Sequence, residues 1–161
     1  MQKWAILAGL LCIGLAGSGW IICLPKQRIG TATHFFEVSP TYLKETILDV
    51  KQQTLWRKEL GKVELTETGW IEYLKSGERI NFQLVRNSSN EIQLNFQSQH
   101  GYSGTWHAQL IATGSGTTIV AKENIVLETI TSRIVSHLFF DPEKIAQIYL
   151  QQLHSHIRSA K

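Results

Sequence analysis

The fold is decided by residues 104–127, GTWHAQLIATGSGTTIVAKENIVL. Apolar side chains occupy alternate positions on both sides of the Gly-Ser-Gly tripeptide at 114–116, which is typical of two strands joined by a tight turn. On the first strand the apolar positions are Trp106, Ala108 and Leu110, and on the second they are Ile119, Ala121, Ile125 and Leu127. This alternation predicts an antiparallel hairpin with one apolar face and one polar face.

The same period of two extends upstream to residue 62. Turn-forming residues interrupt it at 76–77, at 87–90 and around Gly101. The apolar positions between these turns are Val63 and Leu65, then Ile80, Phe82 and Leu84, then Ile92, Leu94 and Phe96. Short strands at such regular intervals predict a single antiparallel sheet over residues 62–127.

Two helices and a strand are predicted before this sheet. Residues 33–38 are rich in aromatic and β-branched side chains, which favours a strand. Ser39 and Pro40 then form a helix start, with serine as the N-cap and proline at the first helical position. Apolar residues follow at helical spacing at Leu43, Ile47 and Val50. A second short helix is predicted around residues 55–60, ending at Gly61.

The chain after the sheet is predicted to be helical to its end. Asp141-Pro142-Glu143 supplies an N-cap, a proline at the first position and an acid in the first turn. The pattern therefore predicts either one long helix bent at Pro142 or two helices in sequence. The apolar stripe contains Ile130, Ile134 and Leu138 before the proline and Ile145, Ile148, Tyr149, Leu153 and Ile157 after it.

Residues 4–24 contain no charged side chain and are followed at once by Pro25-Lys26-Gln27-Arg28. A bilayer-spanning helix needs about 20 apolar residues, so we expect a single-pass membrane protein with an anchor at 1–28 and a domain at 29–161. A secretory signal cleaved near Ala16-Gly17-Ser18 is the alternative. The basic residues after the segment favour a domain on the cytoplasmic side.

Charge and cysteine content exclude several function classes. The chain has 16 basic and 13 acidic residues, and three of the basic ones, Lys3, Lys26 and Arg28, flank the apolar segment. The domain itself therefore has 13 residues of each sign. Because it has no excess of basic residues, we expect no nucleic-acid partner. Both cysteines lie within residues 4–24, and no histidine spacing fits a metal site, so no metal is expected. Without a phosphate-binding glycine motif or a serine-hydrolase motif, we expect no cofactor and assign no catalytic residue.

Several short motifs resemble those of the SRPBCC superfamily, also described as START-like, Bet v 1-like or polyketide-cyclase-like. They are Ser39-Pro40, Ile47-Leu48-Asp49-Val50, Leu55-Trp56-Arg57, Lys62-Val63-Glu64-Leu65, Gly69-Trp70-Ile71-Glu72-Tyr73, Gly104-Thr105-Trp106 with Leu110, and Gly116-Thr117-Thr118-Ile119. The resemblance covers about residues 33–157, and the leading apolar segment is similar to that of membrane-anchored members. It implies an α+β helix-grip fold, in which a curved antiparallel sheet wraps around a long C-terminal helix, here preceded by one transmembrane helix.

The resemblance also implies a cavity between sheet and helix that holds a hydrophobic or amphipathic small molecule, lipid-like or polyketide-like. The predicted ligand-binding residues are Trp56, Phe82, Phe96, Tyr102, Trp106 and Glu123. The aromatic side chains either line this cavity or fill it as core. Tyr102, with His100, lies either at the cavity mouth or in a loop around Gly101.

Glu123 shares the alternation of Ala121 and Ile125, which points its carboxyl inward unless a bulge turns it out or an arginine pairs with it. We therefore expect a membrane-tethered binding module rather than an enzyme. A cyclase or hydrolase that uses Glu123 with His100 or Tyr102 is one alternative. An interaction or structural module with a side-chain-filled cavity is the other.

Overall fold

The computed structural model describes residues 24–160, which form one antiparallel sheet and four helices. The sheet order is β1-β7-β6-β5-β4-β3-β2, so the first and last strands are neighbours. The strands are β1 (Gln27–Phe36), β2 (Leu60–Leu65), β3 (Gly69–Leu74), β4 (Arg79–Asn87), β5 (Glu91–Ser98), β6 (Tyr102–Thr113) and β7 (Gly116–Leu127). The helices are α1 (Pro40–Leu48), α2 (Gln53–Trp56), α3 (Ile130–Phe139) and α4 (Pro142–Ser159). This architecture confirms the predicted α+β class and fits the helix-grip fold.

The predicted hairpin at 104–127 is confirmed and pairs without interruption from Tyr102 with Leu127 to Thr113 with Gly116. Both predicted helix starts are also confirmed. The Ser39 hydroxyl accepts a hydrogen bond from the Tyr42 amide at 3.3 Å. The Asp141 carboxylate accepts hydrogen bonds from the backbone amides of Glu143 and Lys144 in the first turn of α4. Local turn and capping residues therefore fix where these elements begin.

The predicted limits of two elements were wrong. The second helix is only one turn long, Gln53–Trp56, and Leu60 instead begins β2, where it pairs with Leu74. The first strand begins at Gln27 rather than at residue 33, because it pairs along its whole length with β7. In both places tertiary strand pairing outweighs local propensity.

The C-terminal region forms two helices, with the extended residue Phe140 between them. Helix α4 packs mainly against β1, where its start at Pro142 lies directly over Gly30. A Cβ atom at position 30 would lie 2.6 Å from the Pro142 carbonyl group, so glycine is required for this close approach.

The predicted apolar stripe of α4 was only partly right. The residues of α4 buried in the core are Ala146, Leu150, Leu153 and Ile157. Ile145 and Ile148 are exposed instead, because the helix turns the adjacent face onto β1.

Within residues 24–160, no helix combines the length and hydrophobicity needed to cross a bilayer. The predicted membrane-spanning segment, residues 4–24, lies outside the described residues except for Leu24, whereas Gln27 and Arg28 at the end of the predicted anchor belong to β1. The transmembrane helix and the division at residue 28 therefore stay predictions.

Candidate functional site

The inner face of the sheet carries a row of four aromatic rings, one from each of four adjacent strands. Trp70 stacks on Phe82 with ring centres 5.4 Å apart, and Phe82 lies 6.0 Å from Phe96. Phe96 lies 6.3 Å from Tyr102 in an edge-on arrangement. The sheet thus brings three of the predicted residues together, along with Trp70, as one apolar surface.

A second aromatic cluster connects the sheet to α4. The ring of Tyr149 lies 5.5 Å from that of Trp56 on α2 and 6.1 Å from that of Trp106 on β6. Trp56 is buried and also stacks on His156, which makes it part of the core behind α4. Trp106 and Tyr149 are only half-buried, so these two rings are the ones that remain partly accessible.

Glu123 lies on the inner face of β7, directly opposite Trp106 on one side and Gly30 on the other. Neither pairing has an irregularity at this point, so the predicted inward orientation is confirmed and the bulge alternative is wrong. Within residues 24–160 the carboxyl group makes no hydrogen bond and no ion pair. Burial raises the pKa of Glu123 to about 7, and the positive charge of Arg57 opposes this rise from a distance.

A buried polar cluster that the sequence analysis missed lies next to Tyr149. Arg57 Nη1 donates to Glu72 Oε1 at 2.9 Å, Arg57 Nε donates to Glu59 Oε1 at 2.8 Å, and the guanidinium lies 5.6 Å from the Tyr149 ring. Burial by itself lowers the pKa of Arg57, but the Glu72 carboxylate outweighs it, and the net pKa is raised. The cluster holds the guanidinium permanently charged on the inner side of the domain.

One observation in the sequence could have indicated this cluster. Glu72 alternates with Trp70 within residues 69–74, so the two share the inner face of β3. Its side chain is 2% exposed, and the Trp70 indole nitrogen donates to it at 3.2 Å. An acid on the same face as a buried tryptophan predicts a cationic partner elsewhere in the chain.

Tyr102 and His100 are engaged by Glu78 rather than by Glu123. The Tyr102 hydroxyl donates to Glu78 Oε1 at 2.6 Å, and the exposed His100 ring lies 3.5 Å from the same oxygen. Burial and the hydrogen bond to Glu78 raise the pKa of Tyr102. Tyr102 therefore lies on the inner face at the start of β6, and His100 lies in the turn formed by Gly101, whose φ is +75°, so the predicted loop is found for His100 alone.

The N-terminal half of α4 leaves one side of this region open. Ile145, Ile148, Tyr149 and Gln152 share a helical face by their spacing of three and four residues. The Gln152 amide donates to Glu59 at 3.2 Å, so this face is turned toward α2 and the Arg57 cluster. Because Ile145 and Ile148 are exposed on it, the apolar surface around Tyr149 continues out to solvent.

These groups together define the candidate site: the ring pairs Phe82–Phe96 and Trp106–Tyr149 on the inner side of the sheet, with Glu123 as an acid that has no hydrogen-bond partner within residues 24–160. Such a surface can hold the apolar body of a ligand, while the carboxyl contacts one polar group. Within the part of the chain that the structure describes, no three His, Cys, Asp or Glu side chains are grouped as metal ligands.

A separate hollow of about 530 Å³ lies between the start of α1 and the β4–β5 turn. It is lined by Pro40, Thr41, Ser89, Asn90, Gln109, Leu110, Ile111 and Ala112. None of these side chains is ionisable and none was predicted as a site residue. We therefore place the candidate site at Glu123 and not in this hollow.

Solved structures with the same fold include an aromatase/cyclase and a START superfamily protein. The Zhui aromatase/cyclase from Streptomyces sp. R1128 matches with a TM-score of 0.68 at 11% identity, over 84% of this chain and 96% of that one. The START superfamily protein from Mycobacterium smegmatis matches with a TM-score of 0.64 at 9% identity, over 83% and 99%. The Mll3558 protein from Rhizobium loti matches with a TM-score of 0.63 at 14% identity, over 80% and 96%.

At these identities the likeness concerns the fold, and it supports the predicted helix-grip architecture. No protein-family model matches the sequence. No curated protein matches it either.

Proposed function

We propose that this chain is a membrane-tethered module that binds a hydrophobic or amphipathic small molecule, lipid-like or polyketide-like, between the sheet and α4. The observation that carries the proposal is Glu123, a desolvated carboxyl on an apolar inner face with no hydrogen-bond partner within residues 24–160. A polar group in such a place costs free energy unless a ligand or water contacts it.

The chemistry of Glu123 indicates what polar group the ligand carries. With a pKa of about 7, the carboxyl is present in both protonation states near neutral pH. The neutral form donates a hydrogen bond to a carbonyl or carboxylate oxygen, and the charged form accepts one from a hydroxyl. The ligand we expect therefore has one oxygen function at the Glu123 end of an otherwise apolar body.

The surrounding aromatic rings support an apolar and partly planar ligand body. Trp106 and Tyr149 are half-buried and lie edge-on to each other, which leaves ring surface available beside Glu123. Structures of this fold include aromatase/cyclases and a START superfamily protein, which supports a ligand-binding or cyclase-type role for this chain.

The tether belongs to the proposal because a ligand of this kind partitions into membranes. A domain held at the bilayer by residues 4–24 meets such a ligand at a raised effective concentration. The basic residues Lys26 and Arg28 after this segment favour the cytoplasmic side for the domain.

An enzyme of cyclase or hydrolase type is the second candidate, and the observation that favours it is again the pKa of Glu123, which suits a general acid or base near neutral pH. The partners expected for it are not assembled, because Tyr102 hydrogen-bonds to Glu78 and His100 lies beside the same carboxylate. Binding without covalent chemistry is therefore the simpler proposal.

The test is native mass spectrometry of the full-length chain in detergent, with extraction and identification of any small molecule that co-purifies. We expect a stoichiometric adduct in the wild-type protein and in Glu67→Leu, which changes an exposed acid in the β2–β3 turn. In Glu123→Leu, which keeps the side-chain volume but removes the polar contact, the adduct should be largely lost.

Two outcomes would contradict the binding proposal. One is an equal adduct in Glu123→Leu and wild type, which would place the ligand elsewhere. The other is bare wild-type protein whose melting temperature is unchanged by a panel of fatty acids and polycyclic phenols, which would favour the side-chain-filled module. Conversion of the bound molecule by wild type but not by Glu123→Gln would favour the enzyme.

A further inference from the structure

Helix α3 carries its apolar stripe on the outside of the domain. Ser132 and Ser136, four residues apart, are buried against the sheet side of the helix. Ile130 and Leu138 each lie about 140° around the helix from the mean direction of these serines and are 57% and 58% exposed. A surface helix of a soluble domain normally shows the reverse arrangement, with apolar residues inward.

The exposed apolar surface continues past the end of the helix. Phe139 is 77% exposed and Phe140 is 45% exposed, and both follow Leu138 directly. We call Ile130, Leu138, Phe139 and Phe140 the α3 patch. Four large exposed apolar residues on one short helix and the residue after it are typical of a surface that another molecule covers.

The contacts around α3 indicate what covers the patch. Arg28 Nη1 donates to the carbonyl oxygens of Ser136 and Phe140 at 2.5 and 2.6 Å. The His137 ring nitrogen Nε2 lies within hydrogen-bonding distance, 3.2 Å, of the Pro25 carbonyl oxygen. The residues immediately after the predicted membrane segment are therefore fixed to the C-terminal end of α3, where the patch lies.

We propose that the α3 patch docks on the lipid bilayer beside the point where the predicted anchor leaves it. The inference rests on the membrane tether of the proposed function, and it adds a second, specific contact that fixes the orientation of the domain. Apolar side chains on such a helix insert about 5–10 Å into the boundary between headgroups and acyl chains.

Charges near the patch indicate which lipids matter. Lys144, Asp141 and Glu143 follow the patch in sequence and are exposed, and exposed Lys26 is brought near it by the contact between Pro25 and His137. Arg28 is half-buried and bound to backbone carbonyl oxygens. The exposed charges offset each other, so the contact depends mainly on burial of apolar surface rather than on anionic lipids. Docking is therefore expected on neutral phosphatidylcholine and should be little affected by salt.

Docking in this orientation also places the candidate site at the lipid surface. Helix α4 begins two residues after Phe140, and its first exposed apolar residues are Ile145 and Ile148, on the helical face that carries Tyr149. Exposed apolar side chains on α4 therefore lie in the chain between the patch and Tyr149. On a docked domain they would shorten the path of a membrane-dissolved ligand to the candidate site.

The test uses the full chain in phosphatidylcholine vesicles, with one environment-sensitive fluorophore and spin-labelled quencher lipids. Replacing Cys12 and Cys23 by serine leaves a chain without cysteine, into which Phe139→Cys or the control Ser115→Cys is introduced and labelled. Ser115 is at the opposite end of β7, roughly 35 Å away along the strand. A third protein keeps Cys12 alone and reports on the anchor itself.

We expect the label at position 139 to be quenched several-fold more than the label at 115, and equally at low and high salt. Quenching at Cys12 with none at 139 would overturn the docking proposal while leaving the tether intact. No quenching at any of the three positions would instead show that the tether fails. A blue-shifted label at 139 that lipids do not quench would assign the patch to a second copy or to residues 1–23, and would also overturn the proposal.

Discussion

Glu123 and Trp106 lie directly opposite each other on β7 and β6, and together they form the polar and aromatic centre of the candidate site. Directly opposed side chains on adjacent strands have Cβ atoms about 4.5–5.5 Å apart. The two side chains are therefore neighbours on the inner face, and burial on that face is the main cause of the raised pKa of Glu123.

The first prediction concerns the pH dependence that Glu123 imposes on stability. Because its pKa is raised from 4.5 to about 7 in the folded state, the folded protein holds this proton more tightly than the unfolded chain. The free energy of unfolding therefore falls as pH rises from about 4.5 to about 7, by on the order of 3 kcal/mol, and Glu123 contributes no further change above that range. Glu123→Gln should remove this loss.

The measurement is urea unfolding of the full chain in detergent, followed by tryptophan fluorescence at pH 5 and pH 8. The free energy of unfolding of Glu123→Gln, relative to that of wild type, should be larger at pH 8 than at pH 5. The same difference at both pH values would show that Glu123 has an ordinary pKa. Glu67→Gln, in an exposed turn, is the matched control and should show no such trend.

The second prediction concerns the buried pair of Arg57 and Glu72. Glu72→Leu leaves the buried guanidinium without its buried counter-charge. Because Glu59 still contacts it, we expect a loss near the lower end of the usual range, about 3 kcal/mol. The double variant Arg57→Leu/Glu72→Leu should recover much of this loss, since both charges are then absent.

Urea unfolding of the two single variants and the double variant gives the interaction energy between the residues. Additive losses would mean that Arg57 and Glu72 do not stabilise each other. Loss of the ligand adduct in the double variant, with stability regained, would add this cluster to the binding site.

The third prediction concerns the contact between β1 and α4. Gly30→Ala places a methyl group 2.6 Å from the Pro142 carbonyl, so α4 must shift, and we expect a loss of about 1–3 kcal/mol. Gly114→Ala is the matched control because no atom lies within 4 Å of the added Cβ there. Melting temperatures of the two variants test this, and equal values would show that α4 does not rest on Gly30.

The fourth prediction concerns a histidine pair between β1 and α4. His34 Nε2 lies 2.9 Å from His154 Nδ1, and burial, with a smaller effect from His154, lowers the pKa of His34 below its usual 6.5. The unfolded chain therefore binds this proton more readily, and stability falls as pH drops below about 6.5. Melting curves at pH 7.5 and 5.5 should show a smaller fall for His34→Gln than for wild type, and an identical fall would contradict the lowered pKa.

The sequence was sufficient to predict those helix starts and side-chain orientations that depend only on neighbouring residues. The caps at Ser39 and Asp141 were predicted correctly because the side chain bonds to an amide two or three residues ahead. The inward orientation of Glu123 followed from the period of two along β7, a property of the strand backbone alone. These are local relationships, so no partner from elsewhere in the chain is needed to infer them.

What lies next to Glu123, and which helix faces are covered, was decided by the tertiary structure. Arg57 meets Glu72 across 15 residues, and Tyr102 meets Glu78 across 24. The apolar stripe of α3 follows helical spacing, yet the domain buries Ser132 and Ser136 on the other side. Period and capping specify where an element is and which residues share a face. Which distant group covers that face depends on how the sheet closes over α4, since that packing brings residues far apart in sequence into contact.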